Sequence, residues 1–175
     1  MTRLVYLDGS VISRMADDPV SGQSDRALKH NRNIMAAAGV LSLIENRGLR
    51  AVTSWHAIEE IEAADPARRG RILKHVPNRL RLLPKDATAD RLAERLCGRP
   101  FSEKDAVHVA YAHVWNALVL TTDGGIVRGA RSCVIVKVAA VDLFDWIRDD
   151  YSTEAKPFPS QGSFRREDAK RVRGH

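Results

Sequence analysis

Two kinds of hydrophobic spacing alternate along the chain. Short, mostly apolar runs stand at Arg3 to Asp8, Leu49 to Thr53, Leu80 to Leu83, Ala117 to Thr122 and Cys133 to Val138. Runs of this length read as strands, and the most apolar of them as strands buried on both faces of a parallel sheet. Between them the period lengthens. Ser10 is placed to cap a short helix through about Ala16, and Asp17 to Ser24 has the chemistry of a loop. A longer helix is predicted from about Asp25 to Asn46, with Ile34, Ala38, Leu41 and Ile44 or Glu45 about one turn apart and Gly48 as its stop signal. Ser54 can cap a helix carrying Trp55, Ile58 and Ile61, and Pro66 opens another. Asp86 to Leu96 is helical, and Gly98-Arg99-Pro100 breaks it. Ser102 and Asp105 are spaced as a capping box for a helix to about Trp115, with Asn116 at its end where αL geometry is expected. A last helix runs through Asp150. Strands alternating with helices predict a parallel α/β sheet covered on both faces.

Composition narrows the class. A chain of 175 residues with 44% hydrophobic and 29% charged residues suits one globular domain. We divide it into an α/β domain over residues 1–150 and a basic, flexible tail over 151–175, where Pro157, Pro159 and Gly162 interrupt any apolar period. The first apolar run is too short for a signal peptide, and no stretch is apolar for long enough to span a bilayer, so a cytoplasmic protein is expected. Cys97 and Cys133 have no zinc-type spacing and are expected to be reduced thiols.

The acidic residues carry the candidate chemistry. Asp8 ends the first apolar run and Asp123 ends the run from Ala117, so both fall at the C-terminal edge of predicted parallel strands. Glu60 and Asp105 lie on the helices between. Carboxylates gathered from distant segments repel one another unless a cation lies among them. A divalent metal and phosphodiester chemistry are the leading expectation. Asp8 can instead be a turn or cap acid, Asp105 can favour its helix N-terminus, and Glu60 can belong to a solvated face with Glu59 and Glu62. Leu7-Asp8-Gly9-Ser10 resembles part of the Asp-x-Asp-Gly-Thr motif of haloacid-dehalogenase phosphatases, but Tyr6 occupies the nucleophile's position. His56, His108 and His113 lack a zinc pattern and are expected to be partly buried or surface residues.

Four motifs together resemble the PIN-domain nucleases, particularly the VapC-type toxins of toxin–antitoxin pairs. They are Val5-Tyr6-Leu7-Asp8-Gly9-Ser10-Val11-Ile12, Thr53 to Glu60, Asp105-Ala106-Val107-His108-Val109-Ala110 and Leu118 to Asp123. The resemblance spans roughly residues 3 to 150 in the right order. It implies a PIN-like three-layer α/β/α sandwich with a central, mainly parallel sheet of four to five strands. It also implies an endoribonuclease using Mg²⁺ or Mn²⁺ and leaving 5′-phosphate and 3′-hydroxyl ends. Asp8 would be the central ligand, Asp105 and Asp123 would complete the inner set, and Glu60 would bind directly or through water. Ser10 and Thr122 would orient the carboxylates. Gly9 departs from the small hydroxyl residue or alanine usual there, and Glu59 leaves the second motif open by one residue. No further acid or aromatic follows Asp123 in Gly124-Gly125-Ile126.

Charge points the same way. The net charge is +6 and the pI about 9.7, which favours polyanionic partners. From Pro66 to Lys85 there is no acid, and Arg68, Arg71, Lys74, Arg79 and Arg81 are candidates to contact RNA phosphates, or form an ordinary solvated face. Beyond Tyr151, six basic residues face three acids, a net +3. That tail can grip RNA, order on a partner or do neither. The family resemblance further implies a cognate antitoxin, and a homodimer is common among such proteins. The alternative is a catalytically silent or housekeeping PIN-like protein that binds nucleic acid.

Overall fold

The computed structural model of the protein describes residues 4–47, 49–98 and 100–151. The expected stop at Gly48 and the tail from Ser152 lie outside these residues. Among them, strands β1 (Leu4–Leu7), β2 (Arg50–Ser54), β3 (Arg81–Leu83), β4 (Leu118–Thr121) and β5 (Ala140–Asp142) alternate with helices. The helices are α1 (Gly9–Arg14), α2 (Asp25–Arg47), α3 (Trp55–Glu62), α4 (Pro66–His75), α5 (Ala87–Leu96), α6 (Glu103–Val114), α7 (Gly124–Ser132) and α8 (Leu143–Tyr151).

All five strands are parallel and lie in the order β3-β2-β1-β4-β5, so β1 is central. Tyr6 pairs in register with Val52 on one side and Val119 on the other. Successive strand side chains face opposite ways. Val5, Leu7, Ala51, Leu118 and Leu120 therefore enter a core with α1, α2 and α8, whereas Tyr6, Val52 and Val119 enter a second core with α5, α6 and α7. Two cores on one sheet make the three-layer α/β/α sandwich that the alternating pattern predicts.

Several local expectations change. Asp8, not Ser10, caps α1, because its side chain accepts from the Val11 N–H. On α2 the core face is Ala36, Ala37, Val40, Leu43 and Ile44, while Ala38 is exposed and Ile34 and Leu41 are half-buried. Small residues set that rotation: a Cβ on Gly39 would lie 3.3 Å from Ile147 Cδ1 of α8. Cys133 to Val138 is not a strand. Residues after Asp123 wind into α7 instead, capped by Asp123 accepting from the Gly125 N–H at 2.6 Å. A parallel connection must return the chain to the opposite sheet edge. The apolar run completes that return, leaving Val134 93% exposed and Ala140 to pair with Val119. Asn116 does take positive φ, 50°. Among the described residues, no helix is long and apolar enough to cross a membrane.

Helix α7 packs on Phe101 through Gly129, where a Cβ would fall 2.5 Å from ring atom Cε1. Phe101 is fully buried and cannot swing away without disturbing the core. Gly129→Ala should lower stability by about 1–3 kcal/mol through overpacking, read as a lower urea midpoint with unchanged slope. An unchanged midpoint would mean that the ring has room to move.

Candidate functional site

Strand order fixes where a site can form. The sheet reverses its winding between β1 and β4, and open α/β sheets bind ligands at the C-terminal side of that point. Asp8 follows β1 there and is only 2% exposed. Its Oδ1 accepts from Ser10 Oγ at 2.7 Å and from the Val11 N–H at 3.0 Å, and its Oδ2 accepts from Thr121 Oγ1 at 2.5 Å. Thr121 Oγ1 in turn accepts the Asp123 N–H at 2.8 Å. Ser10 Oγ accepts from Thr122 Oγ1 at 2.9 Å and from its N–H at 3.3 Å. Burial pushes the Asp8 carboxyl above its ordinary range, opposed by His108 and by the donors from Thr121, Ser10 and Val11.

Glu60 reaches the same edge from α3. Ser54 sits at the N-cap of α3 but leaves that helix uncapped by its side chain. Its hydroxyl lies 2.7 Å from Tyr6 Oη, which is 2.8 Å from His108 Nδ1, and His108 Nε2 is 3.4 Å from Glu60 Oε2. Glu60 is held below the usual carboxylate range chiefly by the hydrogen bond from His108, and burial lifts Tyr6 well above the ordinary phenol range. Gly9 makes room for this arrangement, because a Cβ there would lie 2.5 Å from Glu60 Oε2. Glu59 is exposed and faces His56 at 4.0 Å, so Glu60 is the acid of this pair that turns toward Asp8's helix.

The other two acids are less closely joined. Asp123 is exposed; its side chain caps α7, and it connects to Asp8 through its backbone N–H and Thr121. Asp105 is half-buried one turn before His108 on α6, with its N–H donated to Ser102 Oγ at 3.2 Å. Among the described residues it forms no hydrogen bond or ion pair with Asp8, Glu60 or Asp123. Thr122 acts one step away, through Ser10, while Thr121 touches Asp8 directly. Sequence reasoning missed Thr121, and it treated His108 only as a partly buried or surface residue, whereas it is buried. Only the register of β1 with β4 and the packing of α6 bring them to the carboxylates.

The basic candidates separate. Arg68 and Arg71 border an open cleft of about 860 Å³ that reaches Thr122, and they lie 3.6 Å and 3.4 Å from Asp17 and Asp18. Lys74 is exposed on α4. Arg79 and Arg81 border a different hollow with Leu4 and Arg50, at the N-terminal edge of β1 and β2, the end opposite Asp8.

The donor chemistry is hard oxygen, which suits Mg²⁺ or Mn²⁺. Among the described residues, no three His, Cys, Asp or Glu side chains form a ready-made metal cluster. That is compatible with Mg²⁺, which is commonly held by one or two carboxylates plus waters and substrate phosphate. Asp8 and Glu60 could supply those carboxylates.

The Asp8 environment has a pH consequence. Because its folded-state carboxyl is raised, the unfolded chain releases this proton first as pH climbs past the ordinary 3.8. Stability then falls with pH until the folded carboxyl also ionises. In metal-free buffer, Asp8→Asn should be more stable than the parent near neutral pH, and the gap should close on acidification toward that ordinary value. Urea unfolding across pH measures this; a less stable variant at neutral pH would mean that the hydrogen bonds to the carboxylate outweigh its desolvation.

Comparison with protein-family models and with curated proteins finds no match to this chain.

Proposed function

We propose that this chain is a metal-dependent endoribonuclease of the PIN-domain, VapC-like type, hydrolysing RNA phosphodiester bonds as the toxin of a toxin–antitoxin pair. The observation that carries this is the buried Asp8 carboxylate at the reversal point of the sheet, oriented by donors from Ser10, Val11 and Thr121. Asp8, Glu60, Asp105 and Asp123 would hold Mg²⁺ or Mn²⁺. When bound, such an ion supplies Lewis-acid stabilisation of charge at phosphorus and a more acidic water.

The chain's own residues prepare that edge. Thr121 commits its proton to Asp8, since its oxygen already receives the Asp123 N–H. His108 donates from Nε2 to Glu60, which keeps that carboxylate ionised and turned toward Gly9. Arg68 and Arg71 stand where they can meet the phosphates of a bound strand. Leu28 and Met35 are exposed on α2, 48% and 74%, and an antitoxin segment or a second copy would cover them.

One observation favours a second reading. The absence of a ready three-acid cluster among the described residues suits a catalytically silent or housekeeping PIN-like protein that binds nucleic acid.

Cleavage of a mixed RNA pool with Mg²⁺ or Mn²⁺ separates the two. The parent should cut, EDTA should stop it, and Asp8→Asn should be inactive. Thr121→Val, which removes the donor to Asp8 together with the acceptor for the Asp123 N–H, should lose about 10- to 100-fold in activity or metal affinity. Mn²⁺ should also raise the melting temperature of the parent and not of Asp8→Asn. RNA binding without cleavage or metal stabilisation would establish the silent protein instead.

A further inference from the structure

Beside Glu60 lies a second cavity, of about 370 Å³, bordered by Ser10, Ser13, Arg14, Arg68 and Lys104 as well as Glu60. Its cations come from three separate elements: Arg14 ends α1, Arg68 is on α4 and Lys104 is in the first turn of α6. Three cations face one carboxylate there. Their present partners do not use them up. Arg14 Nη1 meets Asp17 at 2.5 Å and His30 Nδ1 at 3.1 Å, but its Nε is buried with no hydrogen-bond partner. A buried, unanswered guanidinium N–H is costly, so the charge of Arg14 is only partly met by Asp17 and His30. Arg68 reaches the same Asp17 only at 3.6 Å, and Lys104 makes no ion pair among the described residues beyond the longer-range pull of Glu60.

We propose that this cavity is a phosphate subsite, which takes a backbone phosphodiester next to the one at the Asp8 edge. Lys104 and Arg68 contact its oxygens, Arg14 adds its positive charge at the cavity wall, and Ser13 offers its hydroxyl. The assignment rests on the nuclease reading for the identity of the ligand, not for the presence of an anion site. Several features fit a singly charged diester. Glu60 shares the cavity and disfavours a more highly charged anion. Asp17 holds Arg14 and Arg68 in place between this cavity and the larger cleft, which both arginines also border. A strand leaving the subsite therefore passes from one cavity into the other along the same two side chains. The subsite differs from the basic stretch expected from sequence: Arg14 and Lys104 lie outside that stretch, and Arg79 and Arg81 sit at the far edge of the sheet.

The test measures binding of a short fluorescein-labelled single-stranded RNA to the full chain in EDTA, by anisotropy over a salt series. Inorganic phosphate binding is measured alongside by calorimetry. Lys104→Gln and Arg68→Gln should each weaken RNA binding about tenfold and lower the salt slope by about one. Arg50→Ala and Arg131→Ala, exposed cations on other faces, should change affinity less than about twofold. Matched melting curves confirm that each variant is folded. Equal effects in all four variants, or none in Lys104→Gln and Arg68→Gln, would overturn the subsite while leaving RNA binding standing. Phosphate binding lost in those two variants, with no RNA bound by the parent, would keep the anion site and remove the nuclease reading. Binding of neither probe would overturn both.

Discussion

A carboxylate at the end of the central strand has to be satisfied where water barely reaches it. Asp8 is 2% exposed, and its two oxygens are met by the next helix's own N–H, by Ser10 and by Thr121 of the neighbouring strand. A buried charge without such partners would be strongly destabilising. One side chain therefore ties the end of β1 to the start of α1 and to the end of β4. The same hydrogen bonds set the rotamer of Asp8, of Ser10 and of Thr121, and through the Asp123 N–H they place the start of α7. The edge geometry is thus a consequence of meeting one polar requirement in a crevice that the sheet order creates.

A second polar chain crosses the sheet beside it. Ser54 of β2, Tyr6 of β1 and His108 of α6 are linked by hydrogen bonds of 2.7 and 2.8 Å and end on Glu60 of α3. Buried networks of this kind rigidify when every member is paired. A neighbouring network supports it from outside: Trp55 donates to Tyr111 Oη at 3.1 Å, and Tyr111 donates to Asp90 at 3.0 Å. Glu60 therefore lies on a scaffold drawn from β1, β2, α5 and α6, whereas Asp105 and Asp123 sit on helix starts with fewer constraints.

Charge is distributed to match. Asp8 and Glu60 lie at one strand edge, and the arginines that border the adjoining cavities are steadied by Asp17 and Asp18 from the segment after α1. An acid placed among arginines fixes their geometry at the cost of partly neutralising them. A polyanion approaching this face would exchange one set of partners for another, so affinity there should depend strongly on ionic strength.

The sequence by itself determined the elements that rest on local physics. Apolar runs of strand length, Ser102 and Asp86 at helix starts, Asn116 at a left-handed turn and the alternation of strand with helix all act within a few residues. Asp8 was legible as a strand-end acid for the same reason. The C-terminal part was not: a run as apolar as Cys133 to Val138 became a connection because Asp123 capped α7 and the return path used up the chain. Nor could spacing choose between Glu59 and Glu60, find Thr121, or separate Arg68 from Arg79. Those outcomes depend on which strand lies beside β1 and which helix face the core rotates inward. Such choices are settled by burying area and pairing polar groups across residues 46 to 113 positions apart, and no local pattern encodes them.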